Sequence, residues 1–372
     1  MDCSKLAKTA TDLLEEIIPI PALSFKEKER SDFLWNRITG MLEAEKQRKD
    51  SGTADAFKSV KAVRVKDNIL VYAPRKGKKL LMLCAHVDTV QPADGYTFNP
   101  YAPTKSGDRL YGLGTNDDGA SAVCMLVSFF HSVPSDDRCG LLLVLSTQEE
   151  KGGKDGVPAV TDYLKKHKGI PMPDFALVGE PTGMKAAVAE RGLLVIDATA
   201  YGTSSHAAYP SKDNAISNAM KDIETLRRYR FRRKSDLLGP VHLTVTQIEA
   251  GTAHNVVPDK CRYVIDIRPN ERYTPEEILA ALSSKVTGTL KARSLEHRCS
   301  ITPEDHLLVK TAKFLGLETY VSPTSSDWAR LDIPAMKIGP GESARSHKAD
   351  EFITIQEIED GIKGYLKIIK NI

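Results

Sequence analysis

The sequence reads as an α/β protein: a mainly parallel sheet sandwiched by helices, with a smaller β-α-β-β-α-β unit inserted in its second half. Three observations point there. Short, almost wholly apolar runs lie near 69–73, 80–87, 140–147 and 174–179, as expected of strands buried on both faces. Helical apolar spacing falls between them, near 118–132 and 156–167. From 193 to 300 the order changes to strand, helix, two strands, helix, strand, the split pattern of a small ferredoxin-like domain.

The elements follow in order. Leu6, Leu13, Leu14, Ile17 and Ile18 give residues 4–18 one apolar helical face, and Pro19 and Pro21 end that helix. A second helix is expected around FLWNRITGMLEAEKQRK. Residues 48–57 are polar and aperiodic and read as a surface loop. In the inserted unit, strands are expected at 193–202, 241–251, 260–270 and 290–300, with helices at 213–230 and 275–286. Beyond residue 300 the α/β pattern resumes with a helix at 305–315, a strand at 334–338 and a helix at 355–370. The domain reading is therefore 1–183 and 300–372 for the outer domain and 184–299 for the insertion. A chain of 372 residues suits about two domains.

Composition excludes several function classes. A net charge of +3, with 27% charged residues, leaves no electrostatic footprint for nucleic acid or an anionic membrane. No apolar run approaches the ~20 residues that span a bilayer. The opening MDCSKLAKTATDLLEE carries acids and lacks a signal peptide's apolar stretch. Six scattered cysteines without a CxxC pair predict a reducing, cytoplasmic setting without disulfides.

In open α/β sheets, functional groups gather at the carboxyl ends of strands. The 80–87 strand ends on His86-Val87-Asp88, the 140–147 strand on Gln148-Glu149-Glu150, and the 174–179 strand on Gly179-Glu180. The loop GLGTNDDGA puts Asp117 and Asp118 at the start of a helix, and GPGESARSHKADE puts His347 after a Gly-Pro-Gly turn. Each has an ordinary reading alone. His86 would be a core histidine, Asp117 a helix cap, the Glu149–Glu150 run a solvated loop and GEPT a turn. Together they should converge at one sheet edge, where carboxylates would repel and take up protons unless a cation neutralised them.

A pair of divalent ions resolves this. Zinc takes imidazole nitrogen and carboxylate oxygen, and two-metal hydrolytic sites hold their ions ~3.5–4 Å apart. His86 and Glu180 would hold one ion, Glu150 and His347 the other, and Asp117 would bridge. Asp88 lies two residues from His86 on the same strand face. Its carboxylate can accept a hydrogen bond from the ring nitrogen not bound to metal, which fixes the tautomer.

The motifs HVDTV, GLGTNDDGA, STQEE, VGEPT, GTSSHAAYP, NVVPD, DIRPN and SHKADE occur in this order. In them the chain resembles the di-zinc aminoacylase/carboxypeptidase family of metallopeptidases, and within it the acetylornithine deacetylase-like branch, over about residues 5–370. The resemblance implies a zinc-peptidase-like sheet with a lid and dimerisation domain. It implies two Zn²⁺ per chain, with Co²⁺ as an alternative, and a homodimer through the lid. It implies Glu149 as general base and Asp88 as the residue orienting His86, with a cis peptide after Asp117. It further implies His206 as an oxyanion donor reaching a partner subunit's site, with Asn255 and Arg268 as substrate contacts, Arg268 forking a carboxylate. Relatives often carry Asp-x-Lys-Gly where this chain has Asp117-Asp118-Gly119-Ala120; the bridging Asp is retained. By residue type alone, His206 also reads as a capping or surface histidine and Arg268 as a surface ion-pair partner. Arg345, two residues before His347, is a candidate partner for a succinyl carboxylate.

The expected reaction is metal-dependent hydrolysis of the amide of a small-molecule N-acyl amino acid; the resemblance implies N-acetyl- or N-succinyl-L-ornithine, giving L-ornithine in arginine biosynthesis. The alternatives are a dipeptidase, a carboxypeptidase or a succinyl-diaminopimelate desuccinylase with the same zinc site. A metal-free scaffold is disfavoured, because all five ligand positions and Glu149 are present.

Overall fold

The computed structural model describes residues 3–49, 51–135 and 138–372. The chain divides into two compact units. One comprises Met1–Val188, Thr302–Tyr320 and Ser326–Ile372; the other comprises Ala189–Ile301 and Val321–Ser325.

The centre of the first unit is parallel. Strand Leu80–His86 lies between Gly140–Ser146 and Phe175–Val178, and Ala335–Lys337 follows on the far side of the latter. All seven residues of both Leu80–His86 and Gly140–Ser146 are buried, which is why each reads as an unbroken apolar run. Each fully buried Leu here, such as Leu81, Leu83 and Leu143, contributes about 1.5–3 kcal/mol. The edges are antiparallel: Asn68–Ala73 pairs with Gly140–Ser146, Lys61–Val65 pairs with Asn68–Ala73, and Ala186–Glu190 pairs with Ala335–Lys337. Helices Cys3–Ile17, Ala120–Ser132 and Ile355–Asn371 bury one face of the sheet, and Val157–Lys166 with Trp328 covers the other.

Register decides where the chemistry falls. His86 sits opposite Ser146, and Cys84 sits opposite Val178. Parallel strands in this register bring His86-Val87-Asp88, Gln148-Glu149-Glu150 and Glu180 to the same edge.

The second unit is a four-stranded antiparallel sheet in the order His242–Ala250, Lys260–Arg268, Leu194–Tyr201, Thr289–Ala292. Inward residues alternate along the two middle strands, for example Leu194, Ile196, Ala198 and Ala200. They pack with Cys261, Tyr263, Ile265 and Ile267 under helices Ala215–Arg228 and Pro275–Ser283. Asn214 caps the first helix, and Thr274 with Glu277 forms a capping box on the second.

Two expectations are corrected. Residues 48–57 are not a loop throughout, because Ser51–Lys58 is a helix. Ala54 and Phe57, three apart, are buried, and Phe57 stacks on Phe130 with ring centroids 5.6 Å apart. Residues 290–300 are not one strand. Thr289–Ala292 joins the four-stranded sheet, whereas Ser300–Ile301 pairs with Ala189 and Glu190. All six cysteines are free. No helix among the described residues is long and apolar enough to cross a membrane.

Candidate metal centre

His86 closes its strand with a buried ring whose two nitrogens have different partners. Nδ1 lies 3.1 Å from the Asp88 carbonyl oxygen and 3.5 Å from Asp88 Oδ1; Nε2 lies 3.3 Å from Asp117 Oδ1. The other Asp117 oxygen, Oδ2, is 3.6 Å from His347 Nε2, which also sits 3.0 Å from Glu150. One carboxylate thus faces both imidazoles, one oxygen to each. The ligand atoms of His86, Asp117 and Glu150 lie within 4.8 Å of one another, as do those of His86, Glu149 and Glu180. Glu150 therefore approaches both histidines, and Glu149 stands beside Glu180. The peptide between Asp117 and Asp118 is cis.

Asp88 does more than orient His86. Its buried carboxylate accepts hydrogen bonds from the Glu149 and Glu150 amides at 3.0 and 3.2 Å and from the Ser24 hydroxyl at 2.7 Å. Glu27, also buried, accepts from the Gln148 amide at 3.0 Å. Gln148 has φ 61°, in the left-handed region. These bonds fix the turn that carries the two glutamates. His347 also adopts a left-handed backbone, φ 60°, and its side chain is 52% exposed, so this edge is open to solvent.

The electrostatics match a site that wants cations. Burial pushes Glu149 well up, with Asp327, Glu150 and Asp88 adding to it against the pull of His86. Burial likewise raises Glu180 well above the ordinary range, although Lys337 opposes it. Burial would depress His86, but hydrogen bonds to Asp117 and Asp88 hold it well above its usual value. The Glu150 carboxylate raises His347. Without metal, these groups hold protons more tightly than free ones do, because no cation neutralises the carboxylates. Two imidazoles and several carboxylates, with no thiolate, are donors suited to zinc, cobalt or manganese. The residues present therefore fit a two-metal group.

Residues 82–371 match the sequence profile of peptidase family M20/M25/M40. The chain belongs to this family. As an M20 metallohydrolase it is 28% identical over 318 residues to the succinyl-diaminopimelate desuccinylase of Pelagibacter ubique, covering 78% of this chain and 82% of that one. It is 27% identical over 377 residues to the acetylornithine deacetylase of Proteus mirabilis, covering 94% and 93%. Among solved structures, an M20 family metallo-carboxypeptidase from Sulfolobus solfataricus superposes with a TM-score of 0.75 at 19% identity, covering 97% of this chain and 98% of that one. The M20 fold is thus shared along almost the full length.

Of the remaining sequence candidates, Arg345 belongs to the first unit and the others to the second. His206 and Asn255 lie in the second unit, both exposed, and the pairing of Ser205–His206 with Val256–Val257 brings them together. The Ala207 amide donates to the Asn255 carbonyl at 2.9 Å. Arg268 does not present an open fork: its Nε and Nη2 donate to the two oxygens of Asp266 at 2.8 and 3.1 Å. Arg345 is likewise engaged, donating from Nη1 to Glu357 at 2.8 Å and lying 4.3 Å over the Phe352 ring.

Glu357 also closes the capping box of helix Ile355–Asn371. Burial would raise its carboxyl, but Arg345 and Thr354 outweigh this and hold it below the ordinary value of 4.5. A depressed folded value adds stability above the unfolded value and loses it as pH falls through the folded one. The melting-temperature gap between wild type and Glu357→Gln should be full at pH 7 and shrink below pH 4.5. A gap that stays constant into acid would refute this.

Two buried residues escape the sequence reading: Glu351, which bonds the Asp117 loop, and Asn116 within that loop, which bonds the His347 segment. Both lie inside the motifs SHKADE and GLGTNDDGA. By residue type alone they are indistinguishable from turn residues.

Proposed function

We propose that this M20 metallohydrolase hydrolyses the amide of an N-acyl amino acid, with N-acetyl-L-ornithine or its N-succinyl counterpart as substrate. The product would be L-ornithine for arginine biosynthesis. The observation that carries the hydrolytic reading is the Asp117 carboxylate, which faces His86 and His347 at once with Glu149, Glu150 and Glu180 beside it. The substrate reading is supported by the P. mirabilis acetylornithine deacetylase, which aligns with 94% of the chain.

His86, Asp117 and Glu180 would hold one ion and Asp117, Glu150 and His347 the other. Zinc is proposed for both, with cobalt as an alternative. When bound, the metals supply Lewis acidity and lower the pKa of water toward ~7. The chain's own residues do the rest. Glu149 takes the proton of the attacking water and returns it to the departing amine. Asp88 holds the Glu149 amide and the His86 ring in place. His206 is the proposed oxyanion donor, acting in a homodimer. Its Nδ1 accepts the Ala208 amide at 3.1 Å, so the ring proton of the neutral form sits on Nε2, which is then a donor.

The second reading is a succinyl-diaminopimelate desuccinylase, favoured by the 28% identity to the P. ubique enzyme. The test is amine release by zinc-loaded protein from N-acetyl-ornithine, N-succinyl-ornithine, N-succinyl-diaminopimelate and a dipeptide panel, each with a chelator control. Chelator-sensitive release of ornithine is expected, and the kcat/KM ratio names the acyl group. Release from the diaminopimelate substrate or the dipeptides alone would overturn the ornithine assignment.

A further inference from the structure

Asp117 and His347 come from segments more than 200 residues apart, and two buried side chains tie those segments together reciprocally. From the His347 segment, Glu351 reaches back. Its Oε1 accepts the Asn116 and Asp117 amides at 2.8 and 2.9 Å, and its Oε2 accepts the Gly114 amide at 3.1 Å. From the Asp117 loop, Asn116 reaches forward. Its Nδ2 donates to the Glu342 carbonyl at 3.1 Å and toward Ser346 Oγ at 3.4 Å, and its Oδ1 accepts the Glu342 amide at 2.9 Å. Asn116 is 0% and Glu351 2% exposed, so neither bond set has water as a ready substitute. Gly341, at φ 83°, admits the Asn116 amide; a Cβ there would collide with its Oδ1.

We infer that Glu351 and Asn116 are positioning residues whose reciprocal clamp sets the spacing of the Asp117 carboxylate from the His347 imidazole, and so the affinity of the metal position those two share. The inference rests on the metallohydrolase reading. Three features support a role beyond packing. Every polar atom of both side chains is used on the opposite segment. The bonds land on the amide of Asp117 itself and on residues one and five before His347. Neither side chain bonds to the strand ends that present His86 and Glu180, so the clamp reaches that metal position only through the shared Asp117 and acts more strongly on the position that also holds His347.

Glu351→Gln tests this. The shape is kept, but the amide NH₂ must face either the Gly114 N–H or the Asn116 and Asp117 N–H groups, donor against donor. The readout is Co²⁺ titration of metal-free protein, followed by calorimetry and by the cobalt visible spectrum. Outer-shell substitutions typically weaken metal binding by about 10–100-fold. We expect a loss of that size at the position that includes His347 and a smaller loss at the other, so that the ratio of the two cobalt affinities changes. Should Glu351→Gln not fold, Asn116→Ala removes the other half of the clamp and should give the same unequal loss. A purely structural role would lower the melting temperature of the metal-free variant and leave the ratio of the two cobalt affinities unchanged. That result, in either variant, overturns the inference. Wild-type protein that takes up no cobalt overturns both this inference and the metallohydrolase reading. Failure on the ornithine substrates alone touches only the substrate assignment, because the cobalt affinities are measured without substrate.

Discussion

Glu149→Ala should lower kcat by about 10²–10⁴-fold, the range for loss of a positioned general acid–base group, at unchanged metal content. Glu150→Ala should instead lose metal, because Glu150 touches His347 at 3.0 Å and stands within ligand distance of Asp117 and His86. The two glutamates are neighbours with opposite fates, and Asp88 is what separates them. It holds both amides and so fixes the turn from which the two side chains leave. The crowding that raises the Glu149 carboxyl also makes it a competent base, since a carboxylate removed from water holds a proton more strongly. The measurement is kcat and KM on the best substrate beside metal analysis of each dialysed variant. A Glu149→Ala protein with wild-type turnover would refute the assignment. One that loses an ion would make Glu149 a ligand, the role its place beside His86 and Glu180 also permits.

The central strands and the five convergent ligand candidates are legible in the sequence for one physical reason. A strand buried on both faces must be apolar along its length, so a His or acid at its end stands out. Leu80–His86 and Gly140–Ser146 are such strands. Lys61–Val65 is not, because it lies at an edge with only Val65 fully buried, and its pairing partner rather than its own pattern makes it a strand. Helix Ser51–Lys58 escapes a sequence reading for a related reason. Gly, Thr and Asp give it little intrinsic helical preference, and the burial of Phe57 against Phe130 is a tertiary fact.

The supporting residues of the site are illegible for a different reason. Asp88 reads as a partner for His86, yet its carboxylate serves backbone amides 61 and 62 residues away. Glu351 and Asn116 also work through backbone groups of the opposite segment. Such bonds leave no periodicity or spacing in the sequence, since a backbone amide looks the same under any side chain. Arg268 pairs with Asp266, the kind of ion pair its residue type already suggests, and Arg345 pairs with Glu357, a contact that its place two residues before His347 does not signal.

Stripping the metal should abolish turnover and lower the melting temperature of the first unit, with both restored by zinc or cobalt. A ligand that binds only the folded state adds about 2.7 kcal/mol at 100 times its dissociation constant and about 4 kcal/mol at 1,000 times. For a unit of this size each kcal/mol moves the midpoint by roughly 2–4 °C, so a shift of roughly 5–15 °C is expected. Proton competition gives the effect a pH dependence of definite sign. Metal-free, His86 and His347 hold protons more tightly than free imidazole, and Glu149 and Glu180 more tightly than free carboxyls. Metal must displace those protons, so its apparent affinity, and with it the stabilisation, should fall as pH falls. Scanning calorimetry at pH 8 and pH 6, with chelator and with excess zinc, reads both quantities. A zinc-induced shift that is larger at pH 6 would mean that the bound cation leaves those protons in place, which His86, wedged between Asp88 and Asp117, cannot do while also serving as a ligand. A melting temperature indifferent to both chelator and zinc would mean that the convergent carboxylates are satisfied by protons alone, and the hydrolytic reading would fail with them.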